Sequence, residues 1–393
     1  MSRDEIISAF GVSSWSGSRR FALWIGGIGP LKNPLEVAKI AAALPDIDFV
    51  MIGSAWDRPL LDRLNRDSTP NLFYLGPLVG SAKTALIRKC SVGISTSAYE
   101  TFGWPPLEFL AEGKPVLAYP LKAFKEIYGD LITYCDDTNQ LVQRLRELIN
   151  HGFRANIDQE AVRRLLSTYN FDRAASKIIS FLGSPSFTIF TRDVAIGSDW
   201  VAGFHIVNWQ LWKSMAERAS RVRILSDGIQ YSRDFGLQES TKFTLGSALL
   251  LVKDGLRALE NSPRMLVKLR RKALRLTLLV MEPALFVFYY LRKIREVRAP
   301  WIIAAGQSQI LAAVMLKQLL RLRVACILHD ARFASYPLTS QPFLFRIYQV
   351  VFARSLRFVD WVMVVSNVVL EELVGSCPYL DNIRVIWQLP DRS

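Results

Sequence analysis

The sequence lacks the patterns that identify metal-binding, disulfide-bonded or secreted proteins. Its four cysteines, at positions 90, 135, 326 and 377, are widely spaced and form no CxxC pair, so neither a disulfide framework nor a zinc site is expected. Three histidines are too few for a His-rich metal site. The N-terminal residues MSRDEIISAF contain no apolar core of a secretory signal. We therefore expect a cytoplasmic protein without a metal.

Long apolar segments are missing as well. The longest candidate, Leu276 to Leu291, has 16 residues and is interrupted by Glu282 and Pro283, whereas a membrane-spanning helix needs about 20 apolar residues. A dinucleotide-binding fingerprint is also absent, because GGIG at 26–29 does not continue into GxGxxG and no acidic residue follows at the expected strand end. A dinucleotide-dependent oxidoreductase is therefore a weak hypothesis.

Positive charge is plentiful and lies in the second half of the chain. The net charge is +14, and residues 1–186 hold 21 Lys and Arg against 19 Asp and Glu, while residues 187–393 hold 28 against 16. Within 253–298 there are 12 basic and 4 acidic residues. One interpretation is a basic amphipathic surface lying on anionic lipid at the inner face of the membrane, where it would meet a lipid-linked acceptor. The other is a pair of core helices with Lys and Arg extending outward.

Nucleic acid is not an expected partner of this basic segment. No interleaving of aromatic and basic residues and no known binding module accompanies the charge. Charge by itself selects only the wider class of anionic partners, which includes anionic lipid and phosphorylated ligands.

Apolar strand-like runs alternate with helical patterns in two series, which predicts an α/β fold with parallel sheets covered on both faces. A GSPS linker at 183–186 separates the series, so two Rossmann-like domains are expected, 1–183 and 187–393. In the first, strands are predicted in 21–29, 47–54, 71–78, 91–97, 115–120 and 131–135, with helices at 34–43, 82–90, 105–112, 139–150 and 159–182. In the second, strands are predicted in 187–193, 221–228, 301–307, 323–330, 361–366 and 382–388, with helices at 308–321, 343–356 and 367–375.

The segment YETFGWPPLEFLAEGKPVLA, residues 99–118, carries the strongest chemical signal. A strand ends near Ser97 and a helix begins near Pro105, and ligands of parallel sheets bind beyond the carboxyl ends of the strands. Backbone N–H groups from Gly103 to Leu107 would face an anion, while Glu100 and Glu108 accept hydrogen bonds from sugar or ribose hydroxyls. Alternatively, Glu100 is an acid at a helix start and Glu108 a surface residue of an amphipathic helix.

This segment resembles the donor-binding signature of retaining GT-B glycosyltransferases, family four in the sequence classification, also called glycosyl transferases group 1. The signature is Glu-x7-Glu with an intervening Phe-Gly and a trailing Ala-x-Gly-x-Pro-Val. The matching residues are Glu100, Phe102, Gly103, Pro106, Glu108, Ala111, Gly113, Pro115 and Val116. WIGGIGPLKNP, residues 24–34, is similar to the family's phosphate loop, with Lys32 at its lysine.

The resemblance implies a donor site without a metal or cofactor. Glu108 would hold the nucleotide ribose and Glu100 would contact the transferred sugar. Lys32 would neutralise the leaving diphosphate, helped by the amides of Phe102 and Gly103. Gly27 departs from the family pattern, which has a diphosphate-binding arginine there, and the missing charge-assisted contact corresponds to roughly 1.5–3 kcal/mol.

The second half resembles the acceptor domain of the same enzymes. Residues 301–330 match a strand–helix–strand unit ending in His-Asp, and 358–374 resemble the family's Ala-Asp-x-Val-x-x-Val-Ser strand with its helix. By this resemblance His329 would touch the donor sugar or its phosphate; the alternative is a structural histidine. Asp330 is expected to cap a helix or anchor a loop.

The order of the halves is reversed relative to the family, in which the acceptor domain comes first. One interpretation is a circular permutation, and the other is a segment that joins the donor half of one transferase to the acceptor half of the next.

Taken together, the sequence predicts a retaining glycosyltransferase of the hexosyltransferase type. It would move a sugar from a nucleotide-sugar donor to a glycan or lipid-linked acceptor, as in the synthesis of cell-envelope polysaccharides. The competing prediction is a non-catalytic scaffold that binds sugar nucleotides or glycans.

Overall fold

The computed structural model describes residues 19–191 apart from 56, 153–156 and 185, then 203–226 apart from 220, part of 283–294, 299–331 and 343–387. These residues form two compact units. The described residues up to Tyr169 belong to the first unit, and those from Asn170 to Thr191 and from Phe204 onward belong to the second.

The first unit is built on a parallel six-stranded sheet with the order β3-β2-β1-β4-β5-β6. Its strands are β1 Phe21–Ile25, β2 Asp48–Ile52, β3 Leu72–Tyr74, β4 Val92–Ser95, β5 Val116–Ala118 and β6 Thr133–Tyr134. The chain winds outward from β1 to β3, returns to the other side of β1 as β4, and continues outward. The sheet therefore reverses its winding between β1 and β4, which is where open parallel sheets bind ligands.

Helices connect these strands. They are α1 Pro34–Ala43, α2 Arg58–Arg66, α3 Gly80–Lys89, α4 Trp104–Ala111, α5 Lys122–Tyr128, α6 Thr138–Asn150 and α7 Gln159–Thr168. Strands β1, β2, β4 and β5 are fully or nearly buried because most of their side chains are apolar on both faces, as expected when helices cover both sides of a parallel sheet. One core cluster joins the strands to Val37 and Ile40 of α1 and to Leu141 and Leu145 of α6.

The second unit contains another parallel six-stranded sheet, in the order β12-β11-β10-β9-β7-β8. Its strands are β7 Ser186–Thr191, β8 Arg221–Ser226, β9 Trp301–Ala305, β10 Arg323–Leu328, β11 Trp361–Val364 and β12 Ile383–Val385. The helices are α8 Phe171–Leu182, α9 Gly203–Arg218, α10 Gln307–Leu320, α11 Phe343–Ser355 and α12 Asn367–Ser376. Two parallel sheets with helices confirm the predicted α/β fold.

Helix α8 packs against β11 and β12, at the edge of the second sheet opposite to β8. Lys177 donates to the carbonyl of Val385 at 2.9 Å, and Phe181 stacks on Trp361 with ring centroids 6.4 Å apart. These contacts place α8 in the second unit, although it precedes β7 in the chain.

The single helix predicted over 159–182 is wrong. The structure has two helices, α7 and α8, because the Asn170 side chain accepts hydrogen bonds from the backbone N–H groups of Asp172, at 2.7 Å, and Arg173. This N-cap starts a new helix where the apolar spacing alone indicated a continuous one. The sequence reading also missed α2, which Asp57 caps in the same way, α5 and α9.

The basic surface predicted for 253–298 lies almost entirely outside the described residues. Where the structure does describe helices, none is both long enough and apolar enough to cross a membrane.

A substitution at Gly93 of β4 tests how closely the sheet packs against α4. A Cβ added there would lie 2.3 Å from the ring of Phe109, which is buried and cannot move away. We expect Gly93→Ala to destabilise the protein by about 1–3 kcal/mol, seen as a lower midpoint in thermal unfolding of the full chain.

Gly375 of α12 is the matched control, because a Cβ there would meet no described atom within 4 Å. Gly375→Ala should leave the midpoint unchanged or raise it slightly. Equal midpoints for Gly93→Ala and the native protein would show that β4 and α4 are not so closely packed.

Candidate donor site

The loop after β1 is fixed against the end of β2 by backbone hydrogen bonds. The N–H of Gly26 donates to Ile52 at 3.0 Å, and the N–H of Ile28 donates to Ser54 at 2.8 Å. A 3₁₀ turn, Pro30–Lys32, follows and leads into α1. The loop therefore holds Lys32 at the carboxyl end of the sheet.

Thr96, the residue after β4, ties this loop to the next one. Its hydroxyl accepts from the Trp24 indole at 3.0 Å and points toward the carbonyls of Lys32, at 2.9 Å, and Asn33, at 3.0 Å. The N–H of Ala98 adds a bond to the carbonyl of Leu31 at 2.9 Å. Because Thr96 is fully buried, these bonds are shielded from water and fix the two loops side by side.

Lys32 and Glu100 meet as an ion pair at this position. The ammonium of Lys32 bonds to Oε1 of Glu100, which also accepts from the Ser97 hydroxyl at 2.9 Å. The Glu100 side chain is 11% exposed and that of Lys32 is 29% exposed. Since Lys32 follows β1 and Glu100 follows β4, the pair stands where the sheet reverses its winding.

The start of α4 depends on Gly103 and Tyr128. Gly103 has φ of 78°, and a Cβ there would lie 2.2 Å from the Phe124 ring. The buried Tyr128 hydroxyl donates to the Gly103 carbonyl. Burial raises the pKa of Tyr128 well above its usual value, so the phenol keeps the proton that it donates.

The amides available to an anion at this helix start are fewer than predicted. Pro105 and Pro106 have no N–H, and Leu107 lies four residues after the N-cap Gly103, where its N–H belongs to the first intrahelical hydrogen bond. Within the predicted range from Gly103 to Leu107, three of the five positions therefore offer no amide to an anion.

Phe102 itself is a packing residue. Its side chain is 3% exposed, stacks on Trp104 with centroids 4.2 Å apart, and meets Tyr169 edge-on at 5.0 Å. The ring therefore fixes the loop, and the backbone amide is the part of Phe102 that can serve a ligand.

Glu108 of α4 forms an ion pair that the sequence did not predict. Its Oε1 accepts from Lys83 of α3 at 2.5 Å, while its Oε2 is buried without a hydrogen-bond partner among the described residues. A buried acceptor that lacks a donor costs about 1–3 kcal/mol. An oxygen left in this state retains the capacity to accept a hydrogen bond from a ligand hydroxyl.

His329 lies in the second unit, directly after β10. Its Nε2 is 2.7 Å from Oδ1 of Asn208, a buried residue of α9, so this nitrogen carries the proton that bonds the amide oxygen.

Of the predicted site residues, the first unit holds Lys32, Glu100, Phe102, Gly103 and Glu108, and His329 belongs to the other sheet. Asp330 follows it and is half-buried.

Lys83, Ser97, Thr96 and Tyr128 were missed by the sequence reading. Lys83, Thr96 and Tyr128 act through contacts between separate elements, which no spacing within one element indicates, whereas Ser97 bonds Glu100 within the loop after β4. For Tyr128, the only signal was its place in AFKEIYGD, the segment after the donor motif.

Metal ligands are not grouped in this part of the molecule. The described segments contain no cluster of three or more His, Cys, Asp or Glu side chains that could hold a metal ion. The four cysteines are free thiols and are buried, and burial raises the pKa of Cys90 to about 12.

Comparison with known proteins links the first unit to one family. Residues 8–164 match the family model of Glycosyl transferases group 1. The chain is also 29% identical over 145 residues to an uncharacterized glycosyltransferase of Methanocaldococcus jannaschii, a stretch that makes up 34% of this chain and 40% of that protein. The chain therefore spans less than half of its curated relative. The predicted similarity to Glycosyl transferases group 1 is confirmed for this region.

Solved structures are similar over comparable lengths. The C-terminal domain of LpcC, a glycosyl transferase group 1 family protein of Francisella tularensis, is 24% identical, and the match covers 38% of this chain and 85% of that one with a TM-score of 0.32. Anabaena HepE in complex with UDP-glucose is 17% identical, with 47% and 53% covered and a TM-score of 0.40.

Tyr128→Phe tests the start of α4. Removing the hydroxyl deletes a buried hydrogen bond to the Gly103 carbonyl, so we expect a loss of about 0.5–1.5 kcal/mol in stability. The measurement is the thermal unfolding midpoint of the full chain.

Tyr74→Phe is a suitable control, since its hydroxyl also bonds a glycine carbonyl, Gly53 at 2.5 Å, but at a half-buried position. It should cost less than Tyr128→Phe. A larger effect at Tyr74 would contradict the importance given to the Tyr128 hydroxyl.

Proposed function

We propose that the protein is a retaining glycosyltransferase that moves a sugar from a nucleotide-sugar donor to a hydroxyl of a glycan or lipid-linked acceptor. The observation that carries the proposal is the Lys32–Glu100 pair at the reversal point of the first sheet, with the orphaned Glu108 oxygen on the helix that begins beside it. The family match over residues 8–164 supports the same conclusion.

Lys32 would stabilise the leaving diphosphate. Its ammonium is held by Glu100 and is 29% exposed, so it is positioned before a ligand arrives but remains accessible. The amides of Phe102 and Gly103 would add hydrogen bonds to the phosphate oxygens, and a preorganised cation and amides stabilise developing negative charge without rearranging. In this proposal neither a metal nor a cofactor is needed.

The two glutamates would divide the hydroxyls of the donor between them. Oε2 of Glu108 would accept from the nucleotide ribose, and Glu100 would contact the transferred sugar beside the diphosphate. In the retaining reaction the bond from the sugar C1 to the diphosphate oxygen breaks, and the acceptor oxygen bonds C1 on the same face. The leaving diphosphate takes the acceptor's proton, so no protein nucleophile is required.

His329 would touch the donor sugar or its phosphate from the second unit, and the basic segment 253–298 would lie on an anionic membrane surface that presents the acceptor. These parts of the proposal fit an enzyme of polysaccharide synthesis working at the inner face of the cell envelope. The nucleotide, the sugar and the acceptor are not assigned.

A second candidate is a non-catalytic protein that binds sugar nucleotides. Gly27 favours it, because the family's second diphosphate cation is missing from this position. The two candidates share the binding step and differ in turnover, so binding and turnover are tested separately.

Lys32→Met is expected to weaken the binding of UDP or GDP by roughly 10- to 100-fold, since a hydrogen bond to a charged group contributes about 1.5–3 kcal/mol. Calorimetric titration of the full chain with each nucleotide measures this. Lys39→Met is the control, because Lys39 is likewise paired with a glutamate, Glu36, but is 66% exposed on α1. Equal affinities for all three proteins would refute the donor site.

Turnover is expected to depend on Glu100 and His329. Glu100→Gln and His329→Gln should each lower the rate of donor hydrolysis or transfer by about 10²-fold while UDP or GDP affinity stays within about threefold, because these groups would act on the sugar. The assay follows sugar release from UDP- and GDP-sugars, and NMR of the first-formed sugar reports its anomeric configuration. An inverted anomer would contradict retention. Nucleotide binding without any sugar release would favour the scaffold.

A further inference from the structure

We propose that Lys83 is a positioning residue of the donor site: it holds the Glu108 carboxylate by one oxygen so that the other faces a ribose hydroxyl. The inference rests on the proposed function, which assigns the ribose to Glu108. It adds a residue that neither the donor motif nor the family match identifies.

The two carboxylate oxygens of Glu108 differ in their hydrogen-bond partners. Oε1 is 2.5 Å from the Lys83 ammonium, and Oε2 is buried without a protein donor among the described residues. A carboxylate that accepts at only one oxygen keeps its acceptor capacity at the other. The Lys83 cation also offsets the cost of burying a negative charge at this position.

A second ion pair between the same helices shows what an ordinary bridge looks like here. Arg88 of α3 bonds Glu112, the residue that follows α4, at 2.8 Å, about one helical turn beyond the Lys83–Glu108 pair. Arg88 is 66% exposed, whereas Lys83 is 22% exposed. The outer pair already links the two helices at the surface. What distinguishes the inner pair is that Oε2 of Glu108 is buried and has no hydrogen-bond donor among the described residues.

Lys83 also lies in the first turn of α3, and Glu108 lies in the second turn of α4. Both helices follow strands of the same parallel sheet, so their N-terminal turns stand at the carboxyl edge where Lys32 and Glu100 meet. The pair is therefore on the ligand side of the sheet, and a nucleoside diphosphate is the chemical class that would engage both the Lys32 and the Glu108 positions.

The test is a double-mutant cycle read by calorimetric titration of the full chain with UDP and, in parallel, GDP. Lys83→Met should weaken nucleotide binding about tenfold, and Lys83→Arg should restore most of it because the cation returns. Glu108→Gln should weaken binding at least as much. In the Glu108→Gln background, Lys83→Met should cost less than about twofold, because Lys83 acts through the carboxylate.

Inorganic pyrophosphate, which has no ribose, provides a second reading. Its affinity should be the same for the native protein and Lys83→Met. If Lys83→Met weakens pyrophosphate binding as strongly as UDP binding, or if its cost persists in the Glu108→Gln background, Lys83 contacts the phosphates and the positioning role is overturned.

Arg88→Met and Glu112→Gln are the matched controls for a merely structural bridge. They should leave nucleotide affinity unchanged, while thermal unfolding shows whether each variant is folded. If Arg88→Met lowers nucleotide affinity as much as Lys83→Met, helix bridging explains the effect and the inference fails. If the native protein binds UDP or GDP and Lys83→Met binds it equally well, the inference fails but the proposed function stands. If the native protein binds neither nucleotide, the proposed function fails as well.

Discussion

The buried hydroxyl of Thr96 is the contact on which the donor site depends. It joins the Trp24 indole, inside the first sheet, to the carbonyls of Lys32 and Asn33, and so fixes the loop after β1 against the loop after β4. The N–H of Ala98 adds a second bond between the two loops, to the carbonyl of Leu31. Together these bonds hold Lys32 and Glu100 side by side, where they form one ion pair at the point where the sheet reverses its winding.

The site pairs each acid with a lysine from a different element. Glu100 is held by Lys32 and Glu108 by Lys83, so two carboxylates stand near one helix start without an excess of negative charge. This arrangement resolves a conflict in the sequence, where acids surround a helix N-terminus suited to anions. A diphosphate and two carboxylates can share one edge of the sheet only if cations lie between them.

Two prolines and one tyrosine limit what the helix start can offer. Pro105 and Pro106 remove two N–H groups, and the Tyr128 hydroxyl bonds the carbonyl of Gly103. The helix start therefore has few amides that could bond an anion. In the proposed donor site, charge stabilisation would then depend mainly on Lys32, since Gly27 stands where the family resemblance expects an arginine.

The sequence by itself determined the parallel α/β fold, most strands and helices of both units, and the donor motif with Lys32, Glu100 and Glu108, because buried strands and a helix-start motif are local patterns. It joined α7 to α8, because apolar spacing continues through Asn170 while the cap bond does not show in that spacing. Only the tertiary structure paired Lys83 with Glu108, set Tyr128 at Gly103, and bound His329 to Asn208. Those contacts join residues far apart in the chain, and their partners are chosen by how the elements pack.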